Sequence, residues 1–288
     1  MSKERIYGLI GNPIKYSLSP LMHNAAFSYL KIKARYKLFP LGDRELRTFF
    51  ASFRDKNICG LNITIPYKEK VLQLVEGYQS VAVNAIGAVN TITIGKDNKI
   101  KLFNTDYLGF IQHLKELKVS PKKAAIIGAG GAARAICFAL AKLKAREVDI
   151  YDIDKFRSLS LMKRFNQIFT HTRFLAAENI EALKLNEKDI LINASSIGMK
   201  EDDPLLVEAR LLHPGLFVYD LIYNPAETKL LKLAQEKNIA SSNGLGMLLY
   251  QGVEALNLWI APKKAPVEVM RRALEKGCRS SRQRVRRI

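Results

Sequence analysis

The residues best suited to chemistry fall in two sets. The first is the turn Gly128-Ala129-Gly130-Gly131-Ala132, whose spacing with Ala133 fits G-x-G-x-x-G/A. Small residues here permit a tight turn, bring a pyrophosphate within reach of backbone N–H groups and let a helix pack closely on a strand. The helix that begins there offers phosphate unpaired donors and a partial positive charge. Asp152 stands a little beyond the roughly 20 residues at which an acid grips a ribose diol. Its alternative role is that of a turn acid at a strand end. A carboxylate there repels a 2′-phosphate, and Ile153 rather than an arginine comes next, so NAD is expected ahead of NADP. Lys155 and Arg157 are near enough to leave NADP open.

The second set surrounds Lys68. Leu61, Ile63 and Ile65 alternate with Asn62 and Thr64, which predicts a strand with one apolar face and an amide and a hydroxyl on the other. Pro66 is expected to stop this strand, and Lys68 follows, either as a solvated helix-start residue or as a catalytic group beside the polar face. Asp106 opens a helix with Leu108, Ile111, Leu114 and Leu117 on one face. An acid in a first turn needs no function beyond complementing the dipole. That helix runs straight into the dinucleotide unit, however, so Asp106 is expected at the domain junction, where a hydride acceptor meets its substrate. Ser17 and Ser19 precede a helix carrying Leu21, Ala25 and Tyr29; Ser19 before Pro20 reads as an N-cap, and Ser17 has no such excuse. Two hydroxyls at a helix mouth suit a small carboxylate.

The elements that must position these groups follow an α/β rhythm. Strands are expected at Ile6–Ile10, Ile92–Ile94, Ile100–Phe103, Ala124–Ile127, Val148–Tyr151, Ile190–Asn193 and Phe217–Leu221. Helices are expected at Ala132–Leu143, Thr228–Asn238 and Met247–Ile260, with a break at Ser242–Gly246. From Ala124 onward this alternation predicts a doubly wound parallel sheet. Gln251 sits among apolar neighbours and reads as either a site residue or an exposed one.

Composition narrows the class. The 288 residues leave room for two domains, with 48% hydrophobic and 25% charged residues, ordinary globular values. No apolar run reaches the roughly 18 residues of a membrane helix, and Met1–Arg5 leads into a strand rather than a secretory segment. Cys59, Cys137 and Cys278 make no metal or disulfide pattern, so no metal is expected and a cytoplasmic location suits them. Of the net charge of +19, +7 falls in residues 271–288, from Arg271, Arg272, Lys276, Arg279, Arg282, Arg284, Arg286 and Arg287 against Glu275. Such a tail can hold nucleic acid or a membrane surface. No aromatics interleave with the arginines as a stacking platform requires, so neither partner is expected.

Taken together, SLSPLMH, GLNITIPYK, IGAVNT, NTD, GAGGAAR, NASSIGM, DLIYNP and NGLGMLLYQ resemble, in this order and over nearly the whole chain, the shikimate dehydrogenase family with its quinate/shikimate relatives. The resemblance implies reversible hydride transfer between NAD(P) and C3 of shikimate or 3-dehydroshikimate, in the shikimate pathway of aromatic amino acid biosynthesis. It implies an N-terminal α/β substrate domain over 1–105, completed by C-terminal helices in 241–277, and a Rossmann-like NAD(P)-binding domain over 106–240. Residues 278–288 form a basic tail outside the family pattern, expected to be flexible.

By the same resemblance Ser17 and Ser19 bind the substrate carboxylate with help from Tyr223; Asn62, Thr64, Asn90 and Gln251 position the ring hydroxyls; and Lys68 and Asp106 are the catalytic pair. Gly244 joins the glycine turn, Asp152 and Ile153 on the cofactor. A lysine is a natural proton donor for reduction, and must be perturbed downward to act as a base near neutrality. Departures from the family pattern are Asp152-Ile153-Asp154 in place of an Asn-Arg-Thr type stretch, Ser195 for a threonine, and Asn243 for an aspartate. A broader quinate/shikimate dehydrogenase is the near alternative, and a nucleic-acid-binding or metabolite-sensing protein on the same fold the distant one. Monomer and homodimer both remain open.

Overall fold

The computed structural model describes residues 3–53, 57–95, 97 and 99–285. In chain order its main elements are β1 (Arg5–Gly11), α1 (Ser19–Tyr29), β2 (Ala34–Pro40), α2 (Asp43–Ser52), β3 (Ile58–Ile63), α3 (Val71–Leu74), β4 (Tyr78–Gln79), α4 (Val81–Ile86), β5 (Thr91–Ile94), β6 (Ile100–Phe103) and α5 (Asp106–Glu116). There follow β7 (Lys123–Ile127), α6 (Gly131–Lys142), β8 (Glu147–Tyr151), α7 (Lys155–Ile168), β9 (Arg173–Ala176), β10 (Ile190–Asn193), β11 (Phe217–Asp220), α8 (Lys229–Glu236), β12 (Ser241–Asn243), α9 (Leu245–Ile260) and α10 (Val267–Val285). The chain divides into two compact units, residues 1–109 with 248–288 and residues 110–247, so the divisions fall inside α5 and α9. Both lie a few residues beyond those drawn from the sequence.

The first unit is built on a mixed six-stranded sheet in the order β2-β1-β3-β5-β6-β4. β1 runs parallel to β2 and β3, while β5 is antiparallel to both β3 and β6. Its core gathers Ile10, Leu46, Phe49, Leu61, Ile63, Val71, Val83, Ile92 and Leu102. Trp259 of α9 rests on the opposing strands, its indole N–H donating to the Ile92 carbonyl at 3.0 Å. Gly60 makes room for it, since a Cβ there would lie 2.3 Å from the indole nitrogen.

The second unit is a six-stranded sheet, β12-β11-β10-β7-β8-β9, parallel throughout. Counted from β7, this is the doubly wound order 3-2-1-4-5-6, whose reversal point lies between β7 and β10. The doubly wound reading of the second half is therefore correct. Among the described residues no helix is long and apolar enough to cross a membrane, and no cluster of three or more His, Cys, Asp or Glu could hold a metal.

Several local expectations are corrected. β3 ends at Ile63, and Ile65 lies in a turn and is exposed, so the alternation stops before Pro66 acts. α1 begins at Ser19 itself with Leu18 as the flanking residue, so Ser19 is no N-cap. The buried face of α1 is Met22, His23, Ala26 and Phe27, while Leu21 and Tyr29 are exposed. In α5 the buried residues are Asp106, Gly109, Phe110, His113 and Leu114, while Leu108 and Ile111, and Leu117 just past the helix, are only half-buried; the His113 ring pairs with the Tyr219 hydroxyl at 2.7 Å. The break expected at Ser242–Gly246 overlaps the edge strand β12 at its start and α9 at its end. α10 carries on through Cys278 to Val285, over the start of the basic stretch; residues 286–288 of that stretch, Met1 and Ser2 at the start, and Lys96 and Asn98 of the Gly95–Lys99 turn lie outside the described residues.

Candidate active site

Strand pairing assembles the first half of the site. Asn62 on β3 lies directly opposite Thr91 on β5, and Thr91 opposite Phe103 on β6, which brings Asn90 beside Asn104-Thr105-Asp106. The Val89 N–H donates to the Lys68 carbonyl at 2.7 Å, pinning the lysine backbone next to Asn90. Lys68 Nζ then reaches Asp106 Oδ2 at 2.6 Å, and Asn90 Nδ2 donates to Asp106 Oδ1 at 2.8 Å. Both carboxylate oxygens are thus engaged, and the lysine and aspartate side chains are only 15% and 6% exposed. The Asp106 backbone N–H donates to Asn104 Oδ1 at 3.1 Å, so the first turn of α5 is tied at the residue that carries the charge.

Asn90 is the hub. Its Oδ1 accepts from the Thr105 N–H at 2.6 Å and from Thr91 Oγ1 at 3.0 Å, while Nδ2 also lies 3.3 Å from Gln251 Oε1. Gln251 is 9% exposed and its Nε2 donates to the Leu248 carbonyl, so it is a buried member of the site rather than a surface residue. Asn62 is buried as well, with Nδ2 donating to the Asn90 carbonyl and to Thr91 Oγ1 and Oδ1 accepting from the Tyr36 hydroxyl. Lys68, Asn62, Asn90, Asp106 and Gln251 therefore form one cluster.

Ser17 and Ser19 meet each other instead, the Ser19 N–H pointing at Ser17 Oγ at 3.3 Å. Ser17 thus has the local structural role that the sequence did not suggest. Thr64 follows Asn62 past the end of β3, where its N–H donates to the Ile10 carbonyl and its methyl closes over Gly11. Among the described residues no hydrogen bond joins Thr64 or the serine pair to the Asn90 cluster. Tyr36, Thr91, Asn104 and Thr105 belong to the cluster and were given no role from sequence. The doublet Asn-Thr at 90–91 and again at 104–105, flanking a hairpin, was the available signal.

In the second unit the glycine turn lies at the reversal point of the sheet. Gly128 has φ of +107°, and a Cβ there would stand 2.9 Å from the Ala194 carbonyl carbon, so only glycine lets the turn pass this close to the end of β10. Gly130 flanks α6 and no side chain caps that helix, which leaves its first N–H groups for an anion. Asp152 Oδ2 accepts the Ala129 N–H at 2.6 Å and Oδ1 the Asp154 N–H at 2.9 Å, binding the end of β8 to the turn. Ile153 is 94% exposed beside it. Arg157 reaches back over the turn, with Nη2 3.5 Å from where a Gly130 Cβ would be. Free helix donors, a glycine-only approach and an acid at the strand end fit a dinucleotide.

Neighbouring loops are held by a buried knot. Asp220 accepts from Thr228 Oγ1 at 2.6 Å, Asn193 Nδ2 at 3.0 Å and the Ile222 N–H at 3.0 Å. Burial pushes its carboxyl up, against the lowering effect of these donors. Tyr223 is half-buried in the loop so held. Asn243, where an aspartate was the family expectation, accepts from the Leu245 N–H and donates to the Ala226 carbonyl at 2.9 Å, a bond that an ionised aspartate could not make. Gly244 lies against Leu221, whose carbonyl a Cβ would meet at 2.0 Å.

A turn of this kind fits a dinucleotide, and a buried lysine–aspartate pair is of the chemical type that hydride exchange at a C–OH carbon demands; the class so defined is the NAD(P)-dependent oxidoreductases. Residues 9–92 match the shikimate dehydrogenase substrate binding domain and residues 244–275 the shikimate 5'-dehydrogenase C-terminal domain. The shikimate dehydrogenase (NADP(+)) of Prochlorococcus marinus (strain MIT 9301) is 38% identical over 282 residues, 95% of this chain and 98% of that one. Among solved structures, Aquifex aeolicus shikimate dehydrogenase is 34% identical with a TM-score of 0.86, covering 95% and 99% of the two chains. Listeria monocytogenes shikimate 5-dehydrogenase, solved with shikimate and NAD, is 36% identical with a TM-score of 0.82, covering 94% and 96%. The chain belongs to the shikimate dehydrogenase family.

Proposed function

We propose that this protein interconverts shikimate and 3-dehydroshikimate, with NAD preferred over NADP. The observation that carries the reading is the Lys68–Asp106 pair, 2.6 Å apart and joined through Asn90 to Gln251. When bound, the nicotinamide supplies the acceptor or donor of hydride. Lys68 Nζ serves the C3 oxygen, giving a proton as a ketone is reduced and receiving it as the alcohol is oxidised. Asp106 holds that nitrogen in place and takes one edge of the substrate. Ser17 and Ser19 at the start of α1 suit the carboxylate, with Tyr223 assisting, and Thr64 and Gln251 suit the ring hydroxyls.

The cofactor preference rests on Asp152, whose carboxylate opposes a 2′-phosphate where it touches the glycine turn at Ala129. Exposed Ile153 offers an apolar surface beside it and no compensating charge. Arg157 favours the opposite reading, because its guanidinium lies over Gly130, and the Prochlorococcus relative carries an NADP(+) name. Four assays decide: shikimate and quinate, each with NAD and with NADP, followed by absorbance of the reduced cofactor. Fastest turnover of shikimate with NAD supports both parts of the proposal. NADP preference keeps the reaction and discards the Asp152 argument, and equal efficiency on quinate broadens the substrate.

A further inference from the structure

We infer that Tyr36 and Thr91 are positioning residues for the Lys68–Asp106 pair, acting through Asn62 and Asn90; the inference rests on the shikimate dehydrogenase reading of that pair. The amide and carboxylate atoms fix the direction of the bonds along this path, while the contact between the Thr91 and Thr105 hydroxyls beside it, 3.1 Å long, can run either way. A carboxylate oxygen only accepts, so the Asn90 atom 2.8 Å from Asp106 Oδ1 is Nδ2. Asn90 Oδ1 is then the acceptor for the Thr91 hydroxyl at 3.0 Å, alongside the Thr105 N–H. Thr91 is free to give its one proton because its oxygen receives Asn62 Nδ2 at 3.0 Å. Asn62 Oδ1, in turn, accepts the phenol proton of Tyr36 at 2.8 Å.

Every donor from Tyr36 to Asn62, Thr91, Asn90 and Asp106 therefore points toward the catalytic carboxylate. Reversing the Asn62 amide would set its oxygen against the Asn90 carbonyl, two acceptors with no proton between them. Linked bonds of one polarity in a water-poor interior reinforce one another. All these side chains are nearly fully buried, so no solvent replaces a lost partner. Asn62 spends both amide protons inside the chain, on the Asn90 carbonyl and on Thr91. It thereby acts on the ring hydroxyls through Asn90 and not by donating to them.

Tyr36 is itself held to the task by α1. Its ring stacks on His23, centroids 4.4 Å apart and planes 10° from parallel. Asn24 clamps its backbone, accepting the Tyr36 N–H at 2.8 Å and donating to the Tyr36 carbonyl at 3.1 Å. The hydroxyl that starts the relay is thus delivered by a stacked, doubly tethered residue.

The test is steady-state kinetics of the full chain as wild type, Thr91→Val, Thr91→Ser and Tyr36→Phe, with shikimate and the preferred cofactor. Thr91→Val keeps the shape and removes the hydroxyl; it is expected to lower kcat about tenfold while KM for shikimate moves less than about threefold, a size that small misplacement of a reacting group readily produces. Thr91→Ser restores kcat, and Tyr36→Phe lowers it in the same sense. Equal kcat for the valine and serine variants, a loss confined to KM, or a wild-type rate for Tyr36→Phe overturns the relay. Side-chain amide resonances of asparagine-labelled protein give a readout that needs no turnover. Tyr36→Phe is expected to shift the Asn90 pair as well as that of Asn62, and an unmoved Asn90 pair overturns the relay even if shikimate proves not to be the substrate. An inactive wild type with shifted Asn90 resonances keeps the relay and removes the shikimate reading.

Discussion

Lys68 Nζ stands 2.6 Å from Asp106 Oδ2 in a pair that is mostly withdrawn from water. Each ion has given up hydration and depends on the other, so removing one leaves a buried charge with only part of its compensation. Lys68→Met is expected to lower kcat by about 10²–10⁴-fold, the usual worth of a positioned proton donor. It should also destabilise the chain by about 3 kcal/mol, the low end for a broken buried pair, because Asn90 still serves Asp106. Lys68→Met with Asp106→Asn should regain melting temperature without regaining turnover. A double variant that melts no higher than Lys68→Met would show that the unpaired carboxylate was not the cause.

Asp152 has two duties, which a single substitution confuses. It holds the glycine turn by accepting the Ala129 N–H, and in the proposed reading it also repels a 2′-phosphate by charge. Asp152→Asn with Ile153→Arg keeps an acceptor for Ala129 while removing the charge and adding a cation. The ratio of kcat/KM for NADP over NAD is expected to rise at least about tenfold, equivalent to roughly 1.4 kcal/mol. Arg157→Ala in that background should cancel part of the gain. A ratio that stays level in the first variant contradicts the role given to Asp152.

The doubly wound half of the chain was legible because its signals are local. A glycine turn, apolar strands and an acid at a strand end lie within one stretch, Ala124–Asp152, and the parallel pairing follows from the alternation. The Asn90 cluster was legible only in part. Lys68, Asn90 and Asp106 carry chemistry in their side chains, whereas Thr91 and Thr105 read as ordinary strand and turn residues until the β3–β5–β6 register places them together. The serine pair misled for the reverse reason: Ser19 before Pro20 has a cap's composition, but the helix starts one residue too early for it to cap. His23 was invisible altogether, since periodicity does not reveal a histidine enclosed by Tyr36 and Trp259.

That enclosure sets a pH dependence. Neither nitrogen of His23 has a partner among the described residues, and burial drives its pKa down to about 3. An unfolded chain with a histidine pKa near 6.5 therefore binds a proton that the folded chain does not. The stability contributed by neutral His23 is complete above about pH 6.5 and is lost as pH falls toward 3, at about 1.36 kcal/mol per pH unit. Between pH 7 and pH 5 the cost should reach about 2 kcal/mol. His23→Phe keeps a ring against Tyr36 and drops the titration, so it should lose less stability over that interval than wild type. Urea unfolding followed by the single tryptophan, Trp259, reads this directly, its ring 5.3 Å from His23. Equal losses in both proteins would remove His23 as the source.

Lys188 makes the opposite case, a buried cation with more than one acid. It is 2% exposed, and its Nζ lies 2.6 Å from Glu147 Oε1 and 2.7 Å from Asp149 Oδ2, joining β8 to the start of β10 across β7. Burial works against its charge, but the bonds to both acids prevail and its pKa is raised. Glu147 is held low by the same bond, while burial pushes Asp149 up, and Asp149 Oδ1 has no partner among the described residues. Lys188→Met would leave two carboxyls side by side without a cation, at a cost of about 3–5 kcal/mol near neutrality. Their folded pKa values would then rise above the unfolded ones, so the folded state would hold extra protons and lose stability as pH increases. The deficit relative to wild type should therefore be larger at pH 7 than at pH 5 in denaturant titrations of both proteins. A deficit that is the same at both values would mean that lost packing of the lysine stem, and not the stranded carboxyls, accounts for the effect.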